Sequence, residues 1–294
     1  MKLQHKVVVV SGASSGLGEA SAKAFAQRGS HVALLARNRE ALQRVAAEIE
    51  AQGGVAKVYP ADLTDPKAAS AAVAAITADL GVPDVLLNNA GSGRWMFVDE
   101  TSPEEAVNTM ATPYFSSFYM TRAALPEMLR RGDGHILNVT SPICFFSWPG
   151  ASAYGVARWA MRGFTELLRA DVANTGLKVS LVCAGQMDTP YFDNNPGARE
   201  RIPGVARLYR VLSAEEVAEA VVRAVERGKR DVILPLLLRQ TLLAQRFAPW
   251  LIEWLVQKTG YRRSSLPMPD SQPAIDVRAT RGSTDAEHRK VYHL

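Results

Sequence analysis

Short apolar runs alternate with longer, Ala-rich stretches of helical period along most of this chain. Val7 to Val10, Val32 to Leu35, Val55 to Pro60, Val85 to Asn88, Ile136 to Thr140, Val179 to Cys183 and Val232 to Leu234 are short and rich in β-branched residues, and read as seven strands. Helices are expected from near Leu17 and over Arg39 to Gln52, Lys67 to Leu80, Tyr114 to Arg131, Ala153 to Ala173 and Glu215 to Arg227. The last is opened by a Ser213/Glu216 capping box. Such alternation builds a parallel sheet from crossover units, and near-continuous apolar strands mean that helices cover both faces. The expected fold is α/β, a doubly wound three-layer sandwich about a seven-stranded parallel sheet, filling residues 1–235.

Beyond the seventh strand the pattern changes. From Leu236 to Lys258 a helical stripe holds Leu242, Leu243, Phe247, Trp250, Leu251, Trp254 and Leu255, with Gln240, Gln245, Arg246, Glu253 and Gln257 off it. Pro249 is expected to kink or split it. Tryptophans beside basic ends, with Lys258, Arg262 and Arg263 following, fit an interfacial membrane helix. They fit equally a helix that packs on the domain or on a partner subunit, which is the commoner arrangement. Residues 236–263 therefore form an amphipathic extension. The tail 264–294, rich in proline and then in charge, has too few large apolar residues for a core and is expected to be largely disordered.

Composition narrows the class. Of 294 residues 47% are apolar, which excludes a disordered chain or a fibre. The net charge of +5 is too small and scattered to argue for nucleic acid, while anionic small molecules remain compatible partners. Cys144 and Cys183 form no CxxC pair, and none of the five histidines stands at a metal-ligand spacing, so no metal site is suggested. The first apolar run stops at Gly12, short of signal-peptide length, and no stretch reaches the ~18 uncharged apolar residues of a membrane span. A cytoplasmic protein is expected, with peripheral contact at the inner membrane face through 236–263 as the membrane option.

The first chemical motif is Ser11-Gly12-Ala13-Ser14-Ser15-Gly16-Leu17-Gly18, between the first strand and the first helix. A pyrophosphate needs small residues here, because backbone must approach it closely and helix N-terminal N–H groups must point at it. A tight ligand-free turn is the alternative, and the strand before and helix after weigh against it.

From this motif onward the sequence resembles the one-domain short-chain dehydrogenases/reductases, over roughly residues 5 to 235. Gly12, Gly16 and Gly18 match the family's GxxxGxG. Asp62-Leu63 match the pair that touches adenine in the family, and Asn88-Asn89-Ala90-Gly91 match its NNAG. Ser141 and Tyr154 fall at the family's usual separation. Cys183-Ala184-Gly185, followed by Thr189, replaces its PG-containing turn. The resemblance implies a Rossmann fold, a nicotinamide dinucleotide cofactor and homo-oligomers formed through Tyr114 to Arg131 and Ala153 to Ala173. It carries cofactor contacts to Gly12, Ser14, Ser15, Gly16, Leu17, Gly18, Arg37, Asp62, Leu63, Asn89, Ala90, Gly91, Tyr154, Arg158, Gly185 and Thr189.

Cofactor choice is read at the end of the second strand, where a carboxylate would bind the ribose hydroxyls of NAD and repel a 2′-phosphate. Here stand Leu35-Ala36-Arg37-Asn38, with no acid. A guanidinium offers planar, charge-assisted donors to phosphate, so Arg37, helped by Ser14, favours NADP, the alternative being a solvated surface cation.

The implied reaction is hydride transfer between the cofactor and a carbonyl or alcohol carbon. In it Ser141 would bond the substrate oxygen and Tyr154 would serve as general acid or base. Residues 154 and 158 share a helical face, and for unit charges ~4 Å apart at an effective dielectric of ~20 a cation at 158 favours a tyrosinate by about 4 kcal/mol. Two departures from the family bear on this. Arg158 stands where the family has lysine, which keeps the charge but releases no proton. Pro113 stands where the family has the asparagine of its proton relay, and it also disturbs a helix. Asn108, nearby but five residues off register, is either an unrelated helix-surface residue, the commoner case, or a substitute for that asparagine.

Two readings follow. In one, Ser141, Tyr154 and Arg158 make a working NADPH-dependent carbonyl reductase or alcohol dehydrogenase, slowed by its altered relay. In the other, the chain binds NADP(H) with little or no turnover and acts as a sensor or scaffold. Retention of both Ser141 and Tyr154 favours the enzyme. Pro142 to Pro149 and Trp95-Met96-Phe97 suggest an apolar substrate of lipid or steroid type, or else simply core or oligomer contacts. The Pro/Gly-punctuated segment 188–209 looks like the family's substrate lid, and Cys144, with no histidine partner, like a pocket wall.

Overall fold

In the computed structural model, which describes residues 1–263, seven strands lie parallel in the order Val55–Pro60, His31–Ala36, Val7–Ser11, Val85–Asn88, Gly134–Thr140, Leu177–Ala184 and Asp231–Leu234. The elements run β1 (Val7–Ser11), α1 (Gly16–Gln27), β2 (His31–Ala36), α2 (Arg39–Ala51), β3 (Val55–Pro60), α3 (Pro66–Leu80) and β4 (Val85–Asn88). Next come α4 (Pro103–Met110), α5 (Ser116–Arg131), β5 (Gly134–Thr140), α6 (Ser152–Asp171) and β6 (Leu177–Ala184). The chain goes on through β7 (Met187–Asp188), β8 (Leu212–Ser213), α7 (Ala214–Arg227), β9 (Asp231–Leu234), α8 (Leu236–Phe247) and α9 (Pro249–Thr259). Met1–Tyr261 form one unit. Of the second, Arg262–Leu294, only the first two residues are described, so the expectation of a disordered 264–294 lies outside the described residues.

The alternation of side chains along each strand divides the core into two layers. Val8 and Val10 of β1 join Phe25 of α1, Leu42 and Ile49 of α2 and Val217, Val221 and Val225 of α7 on one face. Val7 and Val9 join Ile76 of α3, Met120 and Met128 of α5 and Leu168 of α6 on the other. Both faces are dry, which is why the strands read as continuous apolar runs. This is the doubly wound Rossmann arrangement, and all seven expected strands are present in it. The strand order reverses at β1, between β2 and β4, and there the carboxyl ends of the strands open a crevice.

The C-terminal stripe divides at Pro249, as its proline suggests, and two details differ from the sequence expectation. A helix, α4, precedes the expected start at Tyr114, and residues 111–115 form a π turn that joins it to α5. Pro113 sits in that turn. Proline has no N–H for the α-helical ladder and its ring clashes with the carbonyl one turn back, and a wider turn is one way a helix passes such a residue. The two-residue strands β7 and β8 pair in parallel at the base of the segment between them. The C-terminal stripe is two helices, with Ala248 between them and Pro249 at the first turn of α9, where its missing N–H costs nothing. Among the described residues no helix is long and apolar enough to cross a membrane.

Candidate active site

The crevice is one cavity of about 1210 Å³ along the carboxyl edge of the sheet. At one end are Gly12, Ser14, Ser15, Gly16 and Leu17 from the β1–α1 turn, Arg37 after β2, and Asp62 and Leu63 after β3. In the middle are Asn89, Ala90 and Gly91 after β4, Ser141 after β5, Tyr154 and Arg158 on α6, and Gly185 and Thr189 after β6. Of the residues expected to touch cofactor or substrate, Gly18 alone lies off the cavity wall. A Cβ there would stand 2.0 Å from the Gly12 carbonyl oxygen, so its task is to let α1 pack against the turn.

The turn and the loop after β4 are pinned together. The Ser11 hydroxyl accepts from the N–H groups of Asn89 (2.9 Å) and Ala90 (3.0 Å), and the Asn89 amide donates to the carbonyls of Ser11 (3.1 Å) and Gly12 (3.3 Å). Beneath them Asn88 donates to Thr121 (3.0 Å) and to Asn138 (2.8 Å), and Asn138 to Thr165 (3.0 Å). This buried polar network ties β4, β5, α5 and α6 into one floor. Asp62 accepts from the N–H and hydroxyl of Thr64, and these bonds, with the charge of Arg37, hold its carboxyl below the usual range.

Helix α6 carries the reactive pair. Its buried face includes Tyr154, Arg158, Met161, Thr165 and Leu168, spaced by three or four residues, so 154 and 158 stack on the side turned to the sheet. The Thr140 hydroxyl donates to the Arg158 carbonyl (3.1 Å), Trp159 donates to the carbonyl of Ile143 (2.7 Å), and Arg162 to that of Cys144 (3.0 Å). These bonds lock α6 to the turn that holds Ser141. The Arg158 guanidinium carbon lies 4.9 Å from the centroid of the Tyr154 ring. Arg158 is only 6% exposed, yet among the described residues no acid pairs with it. Its Nη1 donates to the Val139 carbonyl at 3.4 Å and its Nε has no partner. A buried guanidinium with unused donors fits sugar hydroxyls or phosphate oxygens presented from the cavity.

Aromatic residues wall the far side. Trp95 stacks on Tyr154 with centroids 5.1 Å apart, and its indole N–H donates to the Tyr191 hydroxyl at 3.1 Å. Burial, and then the neighbouring Tyr154, push the Tyr191 phenol well above the ordinary tyrosine range, so it stays protonated. Asn195 accepts from the Gly93 N–H (3.2 Å) and donates to the Tyr191 carbonyl (2.7 Å). The segment between β7 and β8 is thereby fastened over the pocket. It is also tied to the C-terminal helices, through Tyr209 to Thr241 (2.9 Å) and the Val205 N–H to Thr259 (3.1 Å).

Sequence reasoning missed Trp95 and Tyr191 as partners of Tyr154 and Asn195 as the residue that fastens Tyr191 to Gly93, and gave no place in the site to α8 and α9, whose Leu238, Thr241, Ile252 and Val256 close one end of the cavity. One expectation is corrected. Cys144 is no pocket wall: it is fully buried behind the surface that Pro142 and Phe146 present. Burial pushes its thiol up, and hydrogen bonding to Cys183 and Thr140 with the charges of Arg162 and Arg158 brings it below its ordinary value. Asn108, exposed on α4 as expected of a helix-surface residue, also lines the cavity.

Residues 6–199 match the family model described as short chain dehydrogenase. A "Dehydrogenase/reductase SDR family protein 7-like" from Anopheles gambiae is 31% identical over 277 residues, 90% of this chain and 86% of that protein. A "Fatty acyl-CoA reductase" from Acinetobacter baylyi is 33% identical over 234 residues, covering 78% and 76%. The fold matches a Burkholderia phymatum short-chain dehydrogenase/reductase solved with NAD (TM-score 0.77, 24% identity, 90% of this chain and 99% of that one). It also matches a metagenomic short-chain oxidoreductase solved with NADP (TM-score 0.68, 27% identity, 80% and 98%). The chain belongs to the short-chain dehydrogenase/reductase family of oxidoreductases.

Proposed function

We propose that this protein is an NADP(H)-dependent oxidoreductase that interconverts a carbonyl and an alcohol on an apolar, lipid-like substrate. The observation that carries the reading is the unpaired, buried Arg158 beside Tyr154, in the same cavity as the glycine turn and Ser141. When bound, the nicotinamide dinucleotide supplies or takes the hydride. The first turn of α1, with Ser14 and Ser15, offers N–H and hydroxyl donors to its phosphates. Arg37, exposed at the end of β2 where no acid stands, holds the 2′-phosphate. Arg158 directs its unused donors at the sugar beside the reacting ring. Ser141 hydrogen-bonds the substrate oxygen, and Tyr154 gives that oxygen its proton in reduction or takes it in oxidation. After a reduction water returns a proton to the phenol, since an arginine does not pass a proton on.

The apolar end of the cavity, between the segment 189–211 and helices α8 and α9, supports an acyl or similarly extended substrate, as does the likeness to a fatty acyl-CoA reductase. The test is fluorescence titration with NADPH and NADH, followed by turnover of a panel of long-chain aldehydes and apolar ketones. NADPH binds more tightly than NADH, and Arg37→Ala weakens NADPH about tenfold or more, as expected for loss of a charge-assisted bond, while NADH is little changed. Equal affinity for both, unchanged in the variant, would remove the assignment of Arg37. The altered relay favours a second reading, a nucleotide-binding protein with little turnover, and NADPH binding without oxidation by any of the panel would select it.

A further inference from the structure

Helices α8 and α9 are apolar on two sides. One side, with Leu238, Ile252 and Val256, closes the cavity. On the other, Leu243, Phe247, Trp250 and Trp254 are 50%, 87%, 70% and 50% exposed. Leu243 and Phe247 share one stripe of α8, and Trp250, Trp254 and Lys258 one stripe of α9. Exposed aromatic side chains gathered on one short helical pair are unusual on a protein surface that faces only water. Around them stand cations. Arg239 and Arg246 flank Leu243 at one turn's distance and are exposed, and the Lys258 ammonium lies 4.6 Å from the Trp254 ring centroid. Glu253 is the sole acid of the two helices.

We propose that this face docks on an anionic lipid bilayer, with α8 and α9 lying in the plane of the surface. Tryptophan and phenylalanine sink to the level of the headgroups, and the arginines and the lysine pair with lipid phosphates. Neither helix is long enough to span, so the contact is peripheral. Charge argues against a second copy of the chain. A two-fold contact would set this patch against a copy of itself, gathering Arg239, Arg246 and Lys258 of both copies in one interface with one glutamate per copy to offset them. The same two helices wall the apolar end of the cavity, so docking brings that end to the bilayer. This last step rests on the lipid-like substrate proposed above, and the docking itself does not.

The full chain is to be sedimented with phosphatidylcholine vesicles, with and without about one-third phosphatidylglycerol. Partition is about tenfold stronger with phosphatidylglycerol and weakens as salt is raised. The double variant Phe247→Ser/Trp250→Ser lowers it at least about tenfold, and Arg239→Gln/Arg246→Gln removes the preference for phosphatidylglycerol. Because these side chains lie outside the cavity wall, thermal melting and NADPH fluorescence titration stay at wild-type values. Failure to sediment with either vesicle overturns the proposal, as does undiminished binding by the Phe247→Ser/Trp250→Ser variant. A fall in mass from dimer to monomer in that variant, by light scattering, puts a second copy on the face and overturns it too. Vesicle binding by a chain that takes up no NADPH leaves the docking standing and refutes the proposed chemistry instead.

Discussion

The Arg158 guanidinium and the Tyr154 ring meet one turn apart on α6, carbon to centroid 4.9 Å, and Gly91 leaves the space in which the guanidinium lies. A Cβ at 91 would stand 2.6 Å from Nη2 of Arg158. Where a lysine would end in a point charge, the arginine brings a planar fork that needs this clearance.

Gly91→Ala therefore displaces the guanidinium. The expected result is a drop in kcat/KM of about tenfold or more, corresponding to about 1.4 kcal/mol or more of lost transition-state stabilisation. In an Arg158→Lys background the same change costs less, because the shorter amine leaves the contact. A double-mutant cycle on kcat/KM and on NADPH affinity checks this, and simple additivity would show the two sites to be independent.

Proton supply offers a second test. Pro113 is buried in the π turn, off the cavity wall, and Arg158 does not release a proton. Introducing Lys at 158 together with Asn at 113 should raise kcat by about tenfold if proton transfer limits the rate, at the low end of what a positioned acid or base contributes. An unchanged kcat would locate the slow step elsewhere.

Stability should depend on pH through a residue far from the chemistry. His135 on β5 is 1% exposed. Its Nε2 lies 2.6 Å from the Ser180 hydroxyl, which donates to the Lys229 carbonyl, so Nε2 carries the proton and Nδ1 is left unpaired. Burial, with the charges of Lys178 and the N-terminus, lowers its pKa to about 4 from 6.5. The unfolded chain binds a proton between these values and the folded chain does not, so stability is complete above pH 6.5 and falls as pH drops toward 4, by about 3 kcal/mol. Urea unfolding at steps across this window should show the loss, and His135→Gln should remove most of it.

The seven strands and the glycine turn were legible because each is written in adjacent residues: β-branched runs for the strands, small residues where backbone must come close. Ser141, Tyr154 and Arg158 were legible through the family resemblance, and the packing of α6 against the end of β5 sets all three in one cavity. The contacts of Trp95 with Tyr191, and of Asn195 with Gly93, join residues about a hundred positions apart through an irregular segment, and no local pattern announces them. The π turn at Pro113 was hidden for another reason, since a proline in a helical pattern signals a disturbance without saying which one. In α8 and α9 the apolar stripe was visible. Its division into a face on the cavity and a face left bare depends on where β9 ends at the sheet edge.

Tyr154→Phe removes one oxygen from the buried face of α6, and assay of NADPH oxidation with a long-chain aldehyde, beside NADPH fluorescence titration, tests the proposed chemistry most directly. Wild type should turn over and the variant should lose about 10²-fold or more in kcat while binding NADPH within about twofold of wild type. A variant that turns over as fast as wild type would show that the phenol carries no proton in this reaction.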